Sequence, residues 1–440
     1  MSFINKKIVD GANVRELEHE VVGTGKGATF GILGANNSGI ALHNQLTERH
    51  ILAIGAIGSG KSNILYHMID ALRENANEDD MFIFFDAKGD YLEEFYREGD
   101  YVISNAINSP RGTVYWNIYE EIMATHPEKR DELIKEISTG IFREDIEKSS
   151  APIFALGARD LFAAILSAQI KEIEQGAPMM DHTKMVDFFR KATDVTMRNL
   201  LLDHEELKWV RMYIKKENPS QTQSFLVHLY QTVYKIFSGA FEKEGNFSIR
   251  KAIKQKNKKA VFLEYDLSAG YILEDIYTLL LDISMKEVLG RDSNGGKNGR
   301  VFFVLDEFPL IPRLNYMDNA LNFGRSLGVR IVAGLQNVGQ VEHRYGTSLA
   351  QSLISGFGSV FAFRLLDSNS RNIIQGRYGR NKRMYSYISS NTSKGVQDSL
   401  EIGEVVEDWD IANLKIGQCI AMLPDEEPFK FYPIKYESKR

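Results

Sequence analysis

The sequence predicts an α/β protein with a mainly parallel sheet, interrupted by a long all-α insert. Three observations carry this. The run Gly55-Ala56-Ile57-Gly58-Ser59-Gly60-Lys61-Ser62 fits G-x-x-x-x-G-K-[ST] at every defined position. Short strands, several of them apolar throughout, alternate with helices, the pattern of a parallel sheet covered on both faces. Between about residues 119 and 257 the alternation stops, and only helix-period patterns remain.

Taken in order, Thr29 to Leu33 and Ile40 to His43 flank the turn-rich Ala35-Asn36-Asn37-Ser38-Gly39, which reads as a hairpin. His50 to Ile54 is a short apolar strand leading into the glycine loop. Asn63 to Leu72 then places Ile64, Leu65, Met68 and Leu72 on one helical face. Met81 to Phe85 and Tyr101 to Ser104 are further strands. The helical stretch includes Phe154 to Ile170, with Leu161, Phe162, Ile165 and Leu166 stacked, and Lys184 to Ala192, Glu205 to Lys215 and Thr222 to Phe237. Strands resume at Ala260 to Tyr265, Val301 to Leu305, Val329 to Leu335 and Ser359 to Leu366, with a helix from Ile272 to Leu289. The polar segment Arg380 to Gly403 reads as a surface loop. Gln418 to Leu423 and Phe429 to Ile434 read as a closing hairpin. The expected division is 1–118, the first hairpin and first part of the nucleotide-binding domain; 119–257, the all-α insert; and 258–440, the second part with its closing hairpin.

Composition is that of a globular protein: 440 residues, 43% hydrophobic and 25% charged. The net charge of −6 gives no global nucleic-acid signal, so any DNA-handling surface must be local. One cysteine, Cys419, excludes a disulfide framework, and no Cys/His spacing suggests zinc. Apolar stretches such as Val301 to Leu305 are far too short to span a bilayer. The expectation is a soluble protein of a reducing compartment.

Strand, glycine turn and helix start point backbone N–H groups and the positive helix end at a phosphate, so the loop implies nucleoside triphosphate binding. Lys61 is placed to reach the β- and γ-phosphates and Ser62 to ligate Mg²⁺. Val301 to Leu305 ends in Asp306 and Glu307, the Walker B arrangement. A buried strand delivers Asp306 to the carboxyl edge of the sheet, where it can share the Mg²⁺ shell with Ser62. Glu307 can polarise the attacking water as general base. Gln336, at the end of the next strand, can donate to a phosphate oxygen and accept from water, as a γ-phosphate sensor must. Arg325, between those strands, carries the guanidinium suited to stabilising a transferring phosphoryl group on a neighbouring subunit, although arginines near helix ends also serve solvation or capping. Two basic groups stand out: Arg250, Lys251, Lys254, Lys256, Lys258 and Lys259, and then Arg377, Arg380, Lys382 and Arg383 beside Tyr378 and Tyr385. Either could track a phosphate backbone, and either could be a solvated face.

These segments, in this order, resemble the coupling-protein ATPases of conjugative type IV secretion (the TraD/TraG type), within the FtsK/HerA DNA-pumping motors. The resemblance rests on Gly55 to Ser62 with its lead-in His50 to Ile54, on Phe85-Asp86-Ala87-Lys88-Gly89-Asp90, on Trp116-Asn117-Ile118, and on Ala158-Arg159-Asp160-Leu161-Phe162. It is strongest from Leu305-Asp306-Glu307-Phe308 through Gly324-Arg325-Ser326-Leu327-Gly328 to Val332-Ala333-Gly334-Leu335-Gln336. It implies a RecA-like P-loop domain in a six-subunit ring, with ATP and Mg²⁺ between neighbours and DNA in the channel. It places Lys61 and Ser62 on phosphate and metal, Asp306 and Glu307 at Walker B, Gln336 at the sensing position and Arg325 at the arginine-finger position. A relaxase and secretion-channel ATPases are the implied partners. Family members begin with transmembrane helices, whereas this sequence shows none. The expected location is therefore the cytoplasm at the inner face of the cell membrane, with membrane contact through a partner or an absent anchor.

The leading reading is an ATP-driven DNA translocase that delivers conjugative DNA to a secretion channel. A soluble HerA-like motor in DNA processing or defence, and a nucleotide-binding assembly protein with little turnover, are the alternatives.

Overall fold

A computed structural model describes residues 2–23, 29–106, 109, 111–266, 268, 273–290, 299–388 and 396–439. The chain forms two compact units. The first comprises Met1–Asn77, Phe302–Leu310 and Asp318–Arg440, the second Glu78–Val301 and Ile311–Met317.

The first unit is built on strands in the order Arg15–Glu16, Phe429–Phe431, Cys419–Met422, Ser359–Ala362, Ile51–Ile54, Val329–Leu335 and Val301–Leu305, of which all but Val301 belong to this unit. Ile51–Ile54 pairs in parallel with both neighbours, Ile51 facing Val332 on one side and Ser359 on the other. All three strands are buried along their whole length. This is why they do not alternate: Ile51–Ile54 is apolar throughout, and the other two are interrupted only by Arg330 and Ser359. The closing hairpin is present: Cys419–Met422 pairs antiparallel with Phe429–Phe431 and with Ser359–Ala362. So is the first hairpin, Thr29–Leu33 against Gly39–Leu42.

The segment 380–403 is not a loop. Arg380–Ile388 and Val396–Glu404 form a regular antiparallel pair from Arg380↔Glu404 to Ile388↔Val396, and Ser2–Asp10 adds a third strand. Its strand character is hidden in the sequence because the face carrying Lys382, Leu400 and Ile402 is exposed, so polar and apolar residues mix on both sides.

In the second unit Met81–Asp86, Ala260–Glu264 and Tyr101–Ser104 form a parallel set, with Phe84 stacked on Phe262 at 4.6 Å. Helices fill most of the remainder. They include Arg130–Ile141, Pro152–Glu174, His182–Lys191 and Pro219–Ile236; the expected helix at 205–215 is a 3-10 segment, Glu205–Tyr213. Among the described residues one helix, Pro152–Glu174, is long and apolar enough to cross a membrane. It is a core helix, with 67% of its most apolar window buried, packed on Arg130–Ile141 and Pro219–Ile236. The expectation that every apolar stretch is too short to span overlooked it.

Candidate nucleotide site

Ile51–Ile54 runs directly into the glycine loop, and the helix Lys61–Glu74 starts at its end. Gly60, at the helix N-cap, has φ +114°, a conformation that L side chains rarely adopt, and a Cβ there would lie 3.0 Å from Gly417 Cα. No side chain caps this helix, so its first N–H groups and positive dipole end stay available for an anion. The loop is held from behind. Gly55 N donates to Leu335 O at 3.0 Å, Ala56 N to Arg364 O at 2.9 Å, and Gly417 N to Ser59 O at 2.9 Å. A Cβ on Gly55 would strike Phe363 Cβ at 2.5 Å. Phe363 and Gly417, which sequence reading did not single out, thus shape the cradle.

The structure brings the two motifs together. Ser62 Oγ donates to Asp306 Oδ2 at 3.0 Å, across 244 residues of sequence. Lys61 Nζ rests on Gly55 O at 2.7 Å and Ala56 O at 3.1 Å. Glu307 follows Asp306 at the strand end, half-buried. Gln336 follows Leu335, whose carbonyl holds Gly55, so the next strand ends at the same edge. Asn337 turns the chain there by capping the helix Val338–Tyr345 through Gln340 N.

A hydroxyl and a carboxylate oxygen side by side are hard-oxygen donors of the kind Mg²⁺ takes, with phosphate and water completing the shell. Among the described residues no cluster of three or more His, Cys, Asp or Glu offers an all-protein metal cage. The glycine cradle and this donor pair therefore fit a magnesium-bound nucleotide.

Arg325 is elsewhere. It sits in the 3-10 turn Gly324–Leu327, before Val329–Leu335, whereas Gln336 lies after it. Seven strand residues separate those ends by roughly 23 Å. Its guanidinium is paired with Glu48.

Most members of both basic groups have partners within their own units. Arg250 is buried against Glu287 at 2.6 Å and Glu121 at 3.6 Å. Lys251 pairs with Glu120, Lys254 donates to Ala124 O at 2.7 Å, and Lys258 pairs with Glu78 at 3.0 Å. Lys259 lies over the Tyr101 ring. In the second group Arg377 donates to Ile354 O and Phe357 O, Arg380 pairs with Glu404, Lys382 with Asp10, and buried Arg383 with Glu407. The partner carboxylates are far away in sequence, so a charge run alone could not reveal them.

Two motif segments have local structural explanations. The Asp86 carboxylate accepts from Lys88 N, Gly89 N and Leu92 N, tying the turn to the helix Asp90–Phe95; burial raises its pKa and these three bonds oppose the rise. Asn117 caps the helix Ile118–Met123 while donating to Met180 O and Gly245 O.

A glycine cradle at a strand–helix junction, with an acid-tipped strand beside it, defines a RecA-like P-loop protein. The sequence profile of the type IV secretion-system coupling protein DNA-binding domain matches residues 35–434, and the chain belongs to that family. Coupling protein TraD of Escherichia coli K12 is 22% identical over 396 residues, 88% of this chain. The chain spans about half the length of that curated relative, 52%. Among solved structures, the unbound bacterial conjugative coupling protein TrwBdeltaN70 superposes with a TM-score of 0.76 at 20% identity, covering 100% of this chain and 97% of that one. TrwB in complex with ADP and Mg²⁺ gives 0.68 at 18% identity, covering 100% and 95%. VirB4 of Thermoanaerobacter pseudethanolicus gives 0.55 at 10%, covering 94% and 98%.

Proposed function

We propose that this chain is a magnesium-dependent ATPase that drives DNA translocation, acting as the coupling protein that delivers conjugative DNA to a type IV secretion channel. The single observation carrying the chemistry is the Ser62–Asp306 contact, which joins the phosphate loop to the acid-tipped strand at one edge. Family membership favours secretion coupling over a HerA-like motor or a non-hydrolysing assembly protein. Coupling protein is also the name of the similar TraD and TrwB chains.

Residues Gly55 to Ser62 cradle the phosphates. Lys61 exchanges its loop carbonyls for β- and γ-phosphate oxygens. Ser62 and Asp306 hold Mg²⁺, which when bound neutralises developing phosphate charge. Glu307 takes the proton of the attacking water, and Gln336 holds the γ-phosphate end of the site. Arg325 acts on a neighbour's nucleotide, a reading supported by its place at the opposite strand end from its own loop. This requires a ring, taken as a hexamer, with DNA in its channel and a relaxase and secretion-channel ATPases as partners. The helical segment 119–257 is the inserted all-α domain, placed to narrow the channel entry or to receive a cargo protein. The location is the cytoplasmic face of the cell membrane.

The test is ATP hydrolysis against protein concentration, with and without single- and double-stranded DNA. Turnover should rise more than linearly with concentration and be amplified by DNA. Intact nucleotide binding with linear, DNA-indifferent hydrolysis would sink the motor reading.

A further inference from the structure

The contacts around Arg325 point to a residue with no motif of its own. Arg325 is more than half exposed (53%), and a free arginine at that exposure samples many rotamers, a poor start for meeting a phosphoryl group on another molecule. Here both its main chain and its side chain are held. Glu48 Oε2 accepts from the Arg325 guanidinium at 3.0 Å. The other Glu48 oxygen lies 3.7 Å from Arg330, which is 7% exposed. Arg330 in turn donates to Arg325 O at 3.0 Å and Val329 O at 2.8 Å, fixing the turn that carries Arg325. Glu48 belongs to the short helix Asn44–Glu48, just before the phosphate-loop strand. His50, which follows, accepts Ile331 N–H at 3.1 Å and stays neutral through burial, with the Arg330 charge adding to the effect.

The charge balance decides what Glu48 does. One carboxylate faces two guanidinium groups, so the trio keeps a net charge of +1. Glu48 hydrogen-bonds Arg325 at 3.0 Å and lies 3.7 Å from buried Arg330, so its single charge is shared between two cations while the Arg325 side chain is restrained. A carboxylate shared in this way neutralises the finger less than a lone Glu–Arg pair would, while still holding it.

We propose that Glu48 is a positioning residue that pre-orders Arg325 for the nucleotide of a neighbouring subunit, an inference that rests on the trans role of Arg325 proposed above. Sequence inspection could not find it, because Glu48 lies 277 positions from Arg325 in an unremarkable stretch.

The test uses full-length variants mixed with Lys61→Ala protein, which lacks its own turnover but carries an intact Glu48 and Arg325. Arg325→Ala alone should lose at least about 1000-fold in kcat. Glu48→Ala should lose about 2- to 5-fold in kcat, the scale of one partly exposed ion pair. Its KM for ATP should be unchanged, and Glu48→Gln should fall between it and the wild type. Both alanine variants should regain activity on mixing with Lys61→Ala, because the finger is then supplied by the neighbour. Recovery of Arg325→Ala, combined with undiminished or increased activity of Glu48→Ala, or with a Glu48→Ala loss that mixing does not repair, would overturn the role of Glu48 and leave the finger standing. Failure of Arg325→Ala to recover, with co-assembly shown by cross-linking, would overturn the trans reading and this inference with it.

Discussion

Removing Arg250 tests whether the densest basic run in the chain is structural or touches DNA. Its guanidinium is 7% exposed and lies 2.6 Å from Glu287 and 3.6 Å from Glu121, which are 8% and 0% exposed. Glu121 also accepts from Trp116 Nε1 at 3.0 Å, Ile249 N at 2.8 Å and Arg250 N at 3.0 Å. Burial raises the Glu121 pKa, and the Arg250 charge is the strongest force opposing that rise. Arg250→Ala therefore removes the guanidinium from two buried carboxylates, leaving Glu287 with Lys254 at 3.8 Å, and breaking a buried pair in this way costs about 3–5 kcal/mol. The three hydrogen bonds on Glu121 survive the change, so the expected loss lies at the lower end of that range. The assay is urea unfolding followed by far-ultraviolet circular dichroism, with the midpoint compared to wild type. In parallel, Lys251→Gln with Lys254→Gln, which leaves the buried pair intact, should not alter the slope of log affinity for DNA against log salt. Two lysines on phosphate would each remove about one unit from that slope. A midpoint shift worth less than about 1 kcal/mol, or a slope reduced by about 2, would refute the structural assignment of this run.

Further expectations concern chemistry and pH. Lys61→Ala should weaken ATP binding and abolish hydrolysis, whereas Glu307→Gln should keep binding and lose turnover; equal loss of binding in both, by fluorescent-nucleotide titration, would show Glu307 to be misassigned. His182 is buried, accepts Ile118 N–H at 2.9 Å, and has its pKa pushed down to about 4 by burial. The unfolded chain, with histidine near 6.5, binds more protons between those values, so the contribution of His182 is complete above pH 6.5 and is lost as pH falls toward 4. Wild-type stability measured against His182→Gln should thus drop by about 3 kcal/mol from pH 7 to 4. That difference isolates the histidine from Asp275 and Asp282, whose carboxyls burial lifts to about 6 and which act with the opposite sign. A flat difference would mean that His182 is not held neutral.

What was legible in the sequence was whatever leaves a local mark. The glycine loop dictates its own geometry, and fully buried strands such as Val301–Leu305, and Val329–Leu335 despite its Arg330, are read with correct ends. The strands at 380–388 and 396–404 were illegible because a three-stranded sheet with one exposed face imposes no apolar run, and its third strand comes from residues 2–10. The partners of the basic groups were illegible for a related reason. Charge is visible in sequence, but the carboxylates that neutralise it arrive from Glu120, Glu287 and Glu404, distant in the chain or on the facing strand. Glu48 was invisible because it acts only through the fold.

Gly334 makes the same point at the site itself. It lies one residue before the end of Val329–Leu335, opposite Ala53 of the phosphate-loop strand, in a position whose backbone any residue could adopt. Its lack of a side chain serves a close approach: a Cβ would fall 2.2 Å from both Asp306 O and Asp306 Oδ1. Ordinary van der Waals contact would need a retreat of about 1 Å, and both the Asp306 backbone and its carboxylate lie in the path. The oxygen that accepts from Ser62 would move with them, separating the pair proposed to hold Mg²⁺. A displacement of about 1 Å at reacting groups can cost on the order of 100-fold in rate. Gly334→Ala should therefore fold with native circular dichroism, bind nucleotide in EDTA like the wild type, lose the added affinity that Mg²⁺ confers, and hydrolyse ATP about 100-fold more slowly. Wild-type turnover with undiminished Mg²⁺ dependence in a folded Gly334→Ala protein would show that Asp306 is not held in place for metal by the close approach of this strand.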